Sequence, residues 1–379
     1  MSVPFVDLGR LHREHRTALL AAFARVLDSG HFVQGQEVEA FEQQFAHACG
    51  APYAVAVSNG TAALHLALLA RGIRPGDEVI TVANTFVATA EAIVQAGARP
   101  VFADIDPETM NIDPAEVERR ITPRTTAIVA VHLYGRVAQM DALLDIARRY
   151  HLALIEDACQ AHGASFNGRP AGTIGDAGCF SFYPTKNLGG IGEGGMILTA
   201  DRHIALRAAS LRDHGQSVRY HHAALGYNYR MSELQAAALS VLLPELYRWN
   251  ARRSMAAERY AARLAGADLV LPSVEKRDNH VYHLYVVRSH QRNELRSHLA
   301  ERGIQTAVHY PIPIHLQPAF ADYSEGPDSL PHTEAATSKI LSLPMHPTIA
   351  AEEVDAVCDA ILDFDSSLEG RTLAAVSAS

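Results

Sequence analysis

Lysine is nearly absent from this chain. Among 33 basic side chains in 379 residues, only Lys186, Lys276 and Lys339 are lysine, and the rest are arginine. Where any cation would serve, the sequence uses the guanidinium. A lysine set among the aromatics and glycines of FSFYPTKNLGGIGEGG (180–195) therefore points to something arginine lacks, a nucleophilic amine that can lose its proton. A snorkelling surface lysine is the competing reading.

Other scarcities narrow the class. The four cysteines, Cys49, Cys159, Cys179 and Cys358, are far apart and form no CxxC pair, which argues against a zinc ribbon or a disulfide framework and for reduced, buried thiols. No apolar run reaches the roughly 18 residues that a membrane-spanning helix needs. The net charge of −9 lacks the basic surface on which nucleic acid or an anionic membrane is bound. MSVPFVDLGRLHREH at the start carries charges where a signal peptide needs its apolar core, so a cytoplasmic protein is expected. There is no HExxH, no internal repeat and no low-complexity tract. Twenty histidines are scattered, with His221/His222 the one adjacent pair, and no metal is expected.

What is present is the composition of a globular protein, 48% hydrophobic and 20% charged, in a chain long enough for two domains. Between about 53 and 199, short apolar runs alternate with helical patterns: YAVAV (53–57), EVITV (78–82), RPVFA (99–103), TAIVAV (126–131), LALIE (152–156), CFSFY (179–183) and GMILT (195–199). That alternation predicts a layered α/β domain with a mostly parallel sheet. An Arg- and Ala-rich helical stretch (232–264) leads out of it. A second unit then reads strand (281–287), helix (291–304), strand (305–310) and closing helix (351–364), with a polar, mobile tail over 365–379. The expected division is 1–245 for a large domain, with 1–25 packing on the small one, and 246–379 for the small domain.

Three places carry chemistry. At VSNGTAAL (57–64) a strand meets a helix, and the free amides and helix dipole at Gly60 and Thr61 make a phosphate seat or a simple helix cap. At LALIEDACQAHG (152–163) a strand runs out at Glu156 and Asp157, with Gln160 beyond. A carboxylate there can bind metal, accept a ring N–H or cap a helix. The third is the Lys186 loop. Its Gly190, Gly192 and Gly195 form a GxGxxG on paper, but they lead into a strand and not a helix, so a dinucleotide fingerprint is rejected. Together a phosphate seat, a strand-end carboxylate and an isolated lysine are the set that pyridoxal phosphate requires.

Nine segments in order, among them SNGTAALHLAL (58–68), NTFVATAEAI (84–93), IEDACQAHGA (155–164), FSFYPTKNLGG (180–190), DHGQSVRYHHAALGYNYRMSELQAA (213–237) and HYPIPIHLQPAF (309–320), make the chain resemble the DegT/DnrJ/EryC1/StrS family of sugar aminotransferases. The resemblance implies a fold-type-I, aspartate aminotransferase-like α/β architecture: a large domain with a central sheet flanked by helices, and a smaller C-terminal α/β domain. It makes Lys186 the Schiff-base lysine, Asp157 the partner of the pyridine nitrogen and Gln160 a neighbour of the phenolic oxygen. Gly60, Thr61 and Ser181 would hold the phosphate, and Phe86 would cover the ring. Asn228 would reach the phosphate of the other subunit's cofactor, which implies a homodimer with a shared active site. Tyr183, Arg212, Arg230, His309 and Tyr310 are candidates for the sugar and its diphosphate, and His162 and His214 also fall in matched segments.

The activity so implied is transfer of an amino group from L-glutamate, or glutamine, to a nucleotide-linked keto-sugar, giving an amino sugar for a glycan or natural product. Lysine at 186 favours this over the family's dehydratases, which have histidine there. A keto-cyclitol aminotransferase, a sugar dehydratase using the same cofactor and a non-catalytic regulatory protein on the same fold are the other readings.

Overall fold

The computed structural model describes residues 2–273 and 278–377. Seven strands form the main sheet: β1 (Tyr53–Val57), β2 (Glu78–Val82), β3 (Arg99–Ala103), β4 (Thr125–Val131), β5 (Ala153–Asp157), β6 (Ala177–Ser181) and β7 (Gly195–Thr199). Their order is β1-β7-β6-β5-β4-β2-β3, and only β7 runs against the rest. Every residue of β2, β5, β6 and β7 is buried, because helices cover both faces of the sheet. Pro100, which has no N–H for a second neighbour, sits on the edge strand β3. One apolar layer gathers Phe41, Phe45, Phe180 and Phe182, and the opposite one Leu64, Leu66 and Leu68 from the helix Gly60–Arg71. That helix ends where Gly72 turns left-handed at φ 99°.

The stretch expected as one helix over 232–264 is broken. Glu233–Leu242 and Leu246–Arg263 are separated by a short turn, Leu243–Glu245, because Pro244 cannot donate to the helical ladder. The second of these helices joins two cores: Leu246 and Trp249 pack with the main sheet, whereas Ala257, Tyr260 and Leu264 pack in a separate cluster with Tyr285, Leu299 and Ile361.

In this second unit β8 (Tyr285–Arg288) pairs antiparallel with β9 (Ile340–Leu343). The strand expected to begin at 281 starts later, because Val281 and Leu284 donate their N–H groups to the carbonyls of Gly135 and Tyr134 on the large domain. The strand expected over 305–310 is reduced to a single bridge, Ala307 with Ser342. Beyond it the chain turns to the large domain, where Tyr134 Oη donates to the carbonyl of His309 at 2.5 Å, and Pro311 and Pro313 then offer no donors for a ladder. The closing helix runs on past 364, over Ala351–Ser377, and residues 378–379 of the expected tail lie outside the described residues. At the other end Val3 bridges Ile304, Phe5 stacks on His309 at 5.7 Å, and Arg10 grips Glu353 at 2.9 and 3.0 Å. No helix among the described residues is long and apolar enough to cross a membrane.

Candidate active site

A cavity of about 790 Å³ opens at the C-terminal ends of the parallel strands, the place where an open α/β sheet collects ligands. Ends of β4, β5 and β6 contribute Val131, Asp157 and Ser181. The loops after β1 and β2 contribute Gly60, Thr61 and Phe86, and the second unit closes one wall with His283, His309 and Tyr310.

The seat at Gly60 is built by subtraction. Asn59 caps the helix, its side chain accepting from Ala62 N at 2.8 Å and its carbonyl from Ala63 N at 3.1 Å. Among the described residues nothing accepts from the amides of Gly60 and Thr61. A Cβ on Gly60 would lie 2.7 Å from Ser181 Cβ and 3.0 Å from Cys159 Sγ, so only glycine lets the hydroxyl of Ser181 come beside those amides. Free donors at a helix N-terminus with a hydroxyl alongside suit a phosphate.

Asp157 is held from two sides: Oδ2 accepts from Thr89 Oγ1 at 2.8 Å and Oδ1 from Cys159 N at 3.2 Å. Its neighbour Glu156 faces the other way and serves the scaffold, accepting from His132 and from the amides of Gly172, Ile174 and Gly175. Asp157 therefore keeps lone pairs directed at the cavity, as a carboxylate that meets a ring N–H must.

Lys186 is partly open to the cavity, and the protein around it lowers its pKa through burial, against the opposing pull of Cys159 and Asp157. Burial and then the Lys186 charge hold His309 down at about 4 and His162 at about 3. Both imidazoles are thus neutral at pH 7. Burial and the nearby Asp157 raise the Tyr310 phenol. Gln160 bridges the domains, accepting from Tyr134 N at 2.7 Å and donating to Tyr310 Oη at 3.3 Å, and Phe86 leans against Tyr310 with ring centres 5.7 Å apart. Phe86 stays 53% exposed, an aromatic face open to whatever enters.

The cavity brings together Gly60, Thr61, Phe86, Asp157, Gln160, Ser181, Tyr183, Lys186, His309 and Tyr310. Arg212, Arg230 and Asn228 are elsewhere. Arg212 binds Glu42 and the carbonyl of Ala56, while Arg230 binds Asp213 and Asn228 Oδ1, so neither guanidinium faces the cavity of its own chain. His162 lies behind the wall against Phe180 and Phe182, and the His214 carbonyl accepts from His222 Nδ1 beside a hairpin of Gln216–Val218 and His221–His222. Thr89, Cys159, Glu193 and His283 also line the cavity and were not singled out from the sequence, although Thr85 and Thr89, four apart before and within a helix, carried a signal for it. The described residues contain no group of three or more His, Cys, Asp and Glu placed to hold a metal. The free amides, the half-satisfied carboxylate and the depressed lysine fit pyridoxal phosphate at its phosphate, ring nitrogen and aldehyde respectively.

The sequence profile of the DegT/DnrJ/EryC1/StrS aminotransferase family matches residues 14–362. A protein named "Pleiotropic regulatory protein" from Geobacillus stearothermophilus is 46% identical over 369 residues, covering 96% of this chain and 99% of its own length. The dTDP-3-amino-3,4,6-trideoxy-alpha-D-glucose transaminase of Streptomyces venezuelae is 45% identical over 363 residues, with 96% of each chain covered. Among solved structures, NtdA of Bacillus subtilis with bound cofactor PMP superposes with a TM-score of 0.90 at 36% identity, covering 96% of this chain and 85% of that one.

Proposed function

Because the chain belongs to the DegT/DnrJ/EryC1/StrS aminotransferase family, we propose that it moves an amino group from L-glutamate or L-glutamine to a nucleotide-linked keto-hexose, using pyridoxal 5′-phosphate. The observation that carries this reading is the meeting, in one cavity, of the Lys186 amine, the Asp157 carboxylate and the free amides of Gly60 and Thr61. When bound, pyridoxal phosphate supplies an aldehyde carbon that captures amines and a ring that draws electrons from the carbon being deprotonated.

The chain's residues do the rest. Gly60, Thr61 and Ser181 hold the phosphate, Asp157 keeps the ring nitrogen protonated, Gln160 sits by the phenolic oxygen and Phe86 covers the ring and excludes water. Lys186 Nζ, with its pKa lowered by burial, takes the proton from the donor's α-carbon and later supplies one to the sugar carbon that receives the nitrogen.

The active form is a homodimer with shared sites. Lys186 is the only Lys or Arg among the described residues lining one chain's cavity, which it shares with the carboxylates of Asp157 and Glu193, so a diphosphate needs cations from elsewhere. Asn228 and Arg230 face away from their own cavity, on a segment whose hairpin displays Val218 and Tyr220 to solvent. Phe32, Val33, Ile191 and Leu234 are also exposed and apolar, a surface suited to a second copy. Four free cysteines agree with a reducing compartment, which supports a cytoplasmic setting for the reaction.

The test is to incubate the purified protein and cofactor with glutamate and a panel of 3-keto and 4-keto nucleotide sugars, with inosose as the cyclitol control, and to identify products by mass and NMR. An amino sugar is expected, and Lys186→Ala should abolish it. Amination of inosose alone would move the assignment to a cyclitol enzyme. No aminated product from any acceptor, together with a biological role that survives Lys186→Ala, would leave the regulatory reading suggested by the name of the Geobacillus relative.

A further inference from the structure

A buried chain of side chains begins one residue after the lysine. Asn187, 2% exposed, donates from Nδ2 to Asn250 Oδ1 at 2.8 Å and to the carbonyl of Val281 at 2.9 Å, while its Oδ1 meets His283 Nδ1 at 3.1 Å. Asn250, on the helix Leu246–Arg263, donates in turn to the carbonyl of His162 at 2.8 Å. The direction of every bond is dictated by the two backbone carbonyls, which can only accept. Asn250 must therefore present its amide nitrogen to His162 and its oxygen to Asn187. Asn187 must then spend both N–H hydrogens on Asn250 and Val281, and its oxygen can only accept. The proton of the neutral His283 ring accordingly sits on Nδ1.

That leaves Nε2 as a bare lone pair. Among the described residues it has no hydrogen-bond partner and is not one of the nitrogens sealed in the core, and the ring lines the cavity that holds Lys186. Asn187 holds the ring at Nδ1, and the backbone that carries it is fixed. Arg253, buried and with no carboxylate partner among the described residues, donates to the carbonyls of Tyr282, His283 and Met345, and a Cβ on Gly135 would lie 2.9 Å from His283 N, so backbone packs on backbone there. Burial and then the charge of Lys186 keep the imidazole neutral.

The other groups that face Lys186 are placed differently. Asp157 is engaged by Thr89 and Cys159 N, the Cys159 thiol points to the carbonyl of Cys179, and both nitrogens of His162 are sealed without partners. His309 Nδ1 meets the hydroxyl of Ser342, which can donate or accept and so dictates no tautomer.

We propose that His283 is a positioning residue for Lys186: its Nε2, held open by the Asn250–Asn187 chain, accepts a hydrogen bond from the lysine ammonium whenever that amine is not joined to the cofactor. The proposal rests on the aminotransferase reading for its place in the reaction, but not for its test.

Asparagine and glutamine separate the two nitrogens of His283. In His283→Asn the amide can replace the Nδ1 donor to Asn187 but nothing replaces Nε2. In His283→Gln the amide oxygen can replace Nε2 and the link to Asn187 is lost. Trace acetylation of the full chain, with and without pyridoxamine phosphate, reports the free amine at Lys186 by mass spectrometry against Lys339 as internal reference.

Loss of the acceptor lowers the lysine pKa, so at pH 8 Lys186 in His283→Asn should label about tenfold faster than in the native protein, the factor carried by one pKa unit, while His283→Gln stays near native. Unchanged labelling in a folded His283→Asn overturns the proposal, as does the opposite pattern, which a merely structural link would give. Should the asparagine variant not fold, neutron diffraction of the native protein decides: a deuteron on Nδ1 and none on Nε2 is expected, and one on Nε2 overturns it. Cofactor uptake and turnover are measured separately, so failure of the aminotransferase reading cannot be mistaken for failure of this one.

Discussion

Thr89 Oγ1 donates to Asp157 Oδ2 at 2.8 Å, and Thr85 Oγ1 lies 3.1 Å behind it. A carboxylate only accepts, so Thr89 must give its proton to Asp157 and use its own lone pair for Thr85, and the three groups form a chain polarised toward the site. On the proposed reading Asp157→Asn removes the charge that would keep a ring nitrogen protonated, and it should cut kcat/KM by at least about 100-fold. Thr89→Val keeps the volume and removes only the donor to a charged group, for which about a tenfold loss is expected. Wild-type kinetics in Thr89→Val, with Asp157→Asn inactive, would reduce Thr89 to packing.

Glu156, the adjacent residue, is the scaffold's counterpart to that chain. Its Oε2 accepts from His132 Nε2 and Gly172 N, both at 2.8 Å, and its Oε1 from Ile174 N at 2.6 Å and Gly175 N at 2.7 Å. His132 Nδ1 already accepts from Ala138 N, so Nε2 carries the proton and all four partners are donors. Glutamine at 156 must turn its NH2 toward two of them. Glu156→Gln should cost about 2–4 kcal/mol, read from the urea midpoint, and should lower cofactor content because Asp157 is one residue away. A change below about 0.5 kcal/mol would mean that the loop over 171–175 relaxes around the amide.

Much of this arrangement is legible in the residues. YAVAV, EVITV, RPVFA and GMILT are strands over the expected residues, and the other three shift by one or two, because runs that are mostly buried need only be apolar and β-branched to declare themselves. The order of strands is not local information, and nothing in GMILT says that it alone runs backwards between β1 and β6. The second unit was harder. Ile340–Leu343 pairs with β8 although it is not among the expected strands, and 281–284 forgoes the sheet to dock on Tyr134 and Gly135. At the site, Lys186 and Asp157 stood out by rarity and by position at a strand end. Thr89 and His283 did not, because their roles come from partners 68 and 96 residues away.

Four histidines, three buried and His309 half-buried, make stability depend on pH. The pKa is held at about 3 for His162 and His280 and about 4 for His309 and His346, in each case first by burial. All four lie below the unfolded value of about 6.5, so as pH falls the unfolded chain binds these protons first. Their contribution is complete above about pH 6.5 and is lost as pH falls toward about 4 for two of them and about 3 for the other two, each adding a slope of up to about 1.4 kcal/mol per pH unit. Urea midpoints should fall steadily between pH 7 and pH 4. His162→Leu removes a ring whose two nitrogens are buried without partners and should make that decline shallower. An equally steep decline in the variant would place the acid sensitivity in other groups.

The proposed sharing of the site between subunits makes a prediction that neither variant alone can make. Lys186 lines the cavity of its own chain, whereas Asn228 does not, its Oδ1 being taken by Arg230 Nε at 3.0 Å. If Asn228 serves the other subunit, a Lys186→Ala chain lacks a lysine at its own site but still lends a sound asparagine to its neighbour. An Asn228→Ala chain keeps its lysine and spoils only its neighbour's site. Co-expressed in equal amounts and paired at random, half of the dimers are mixed, and in each of these one site of two has both native residues. About a quarter of all sites are then intact, and activity should rise to about a quarter of the wild-type rate although each parent is nearly inactive. A mixture no more active than the mean of its parents, with mixed dimers verified by mass, would confine the active site to one chain.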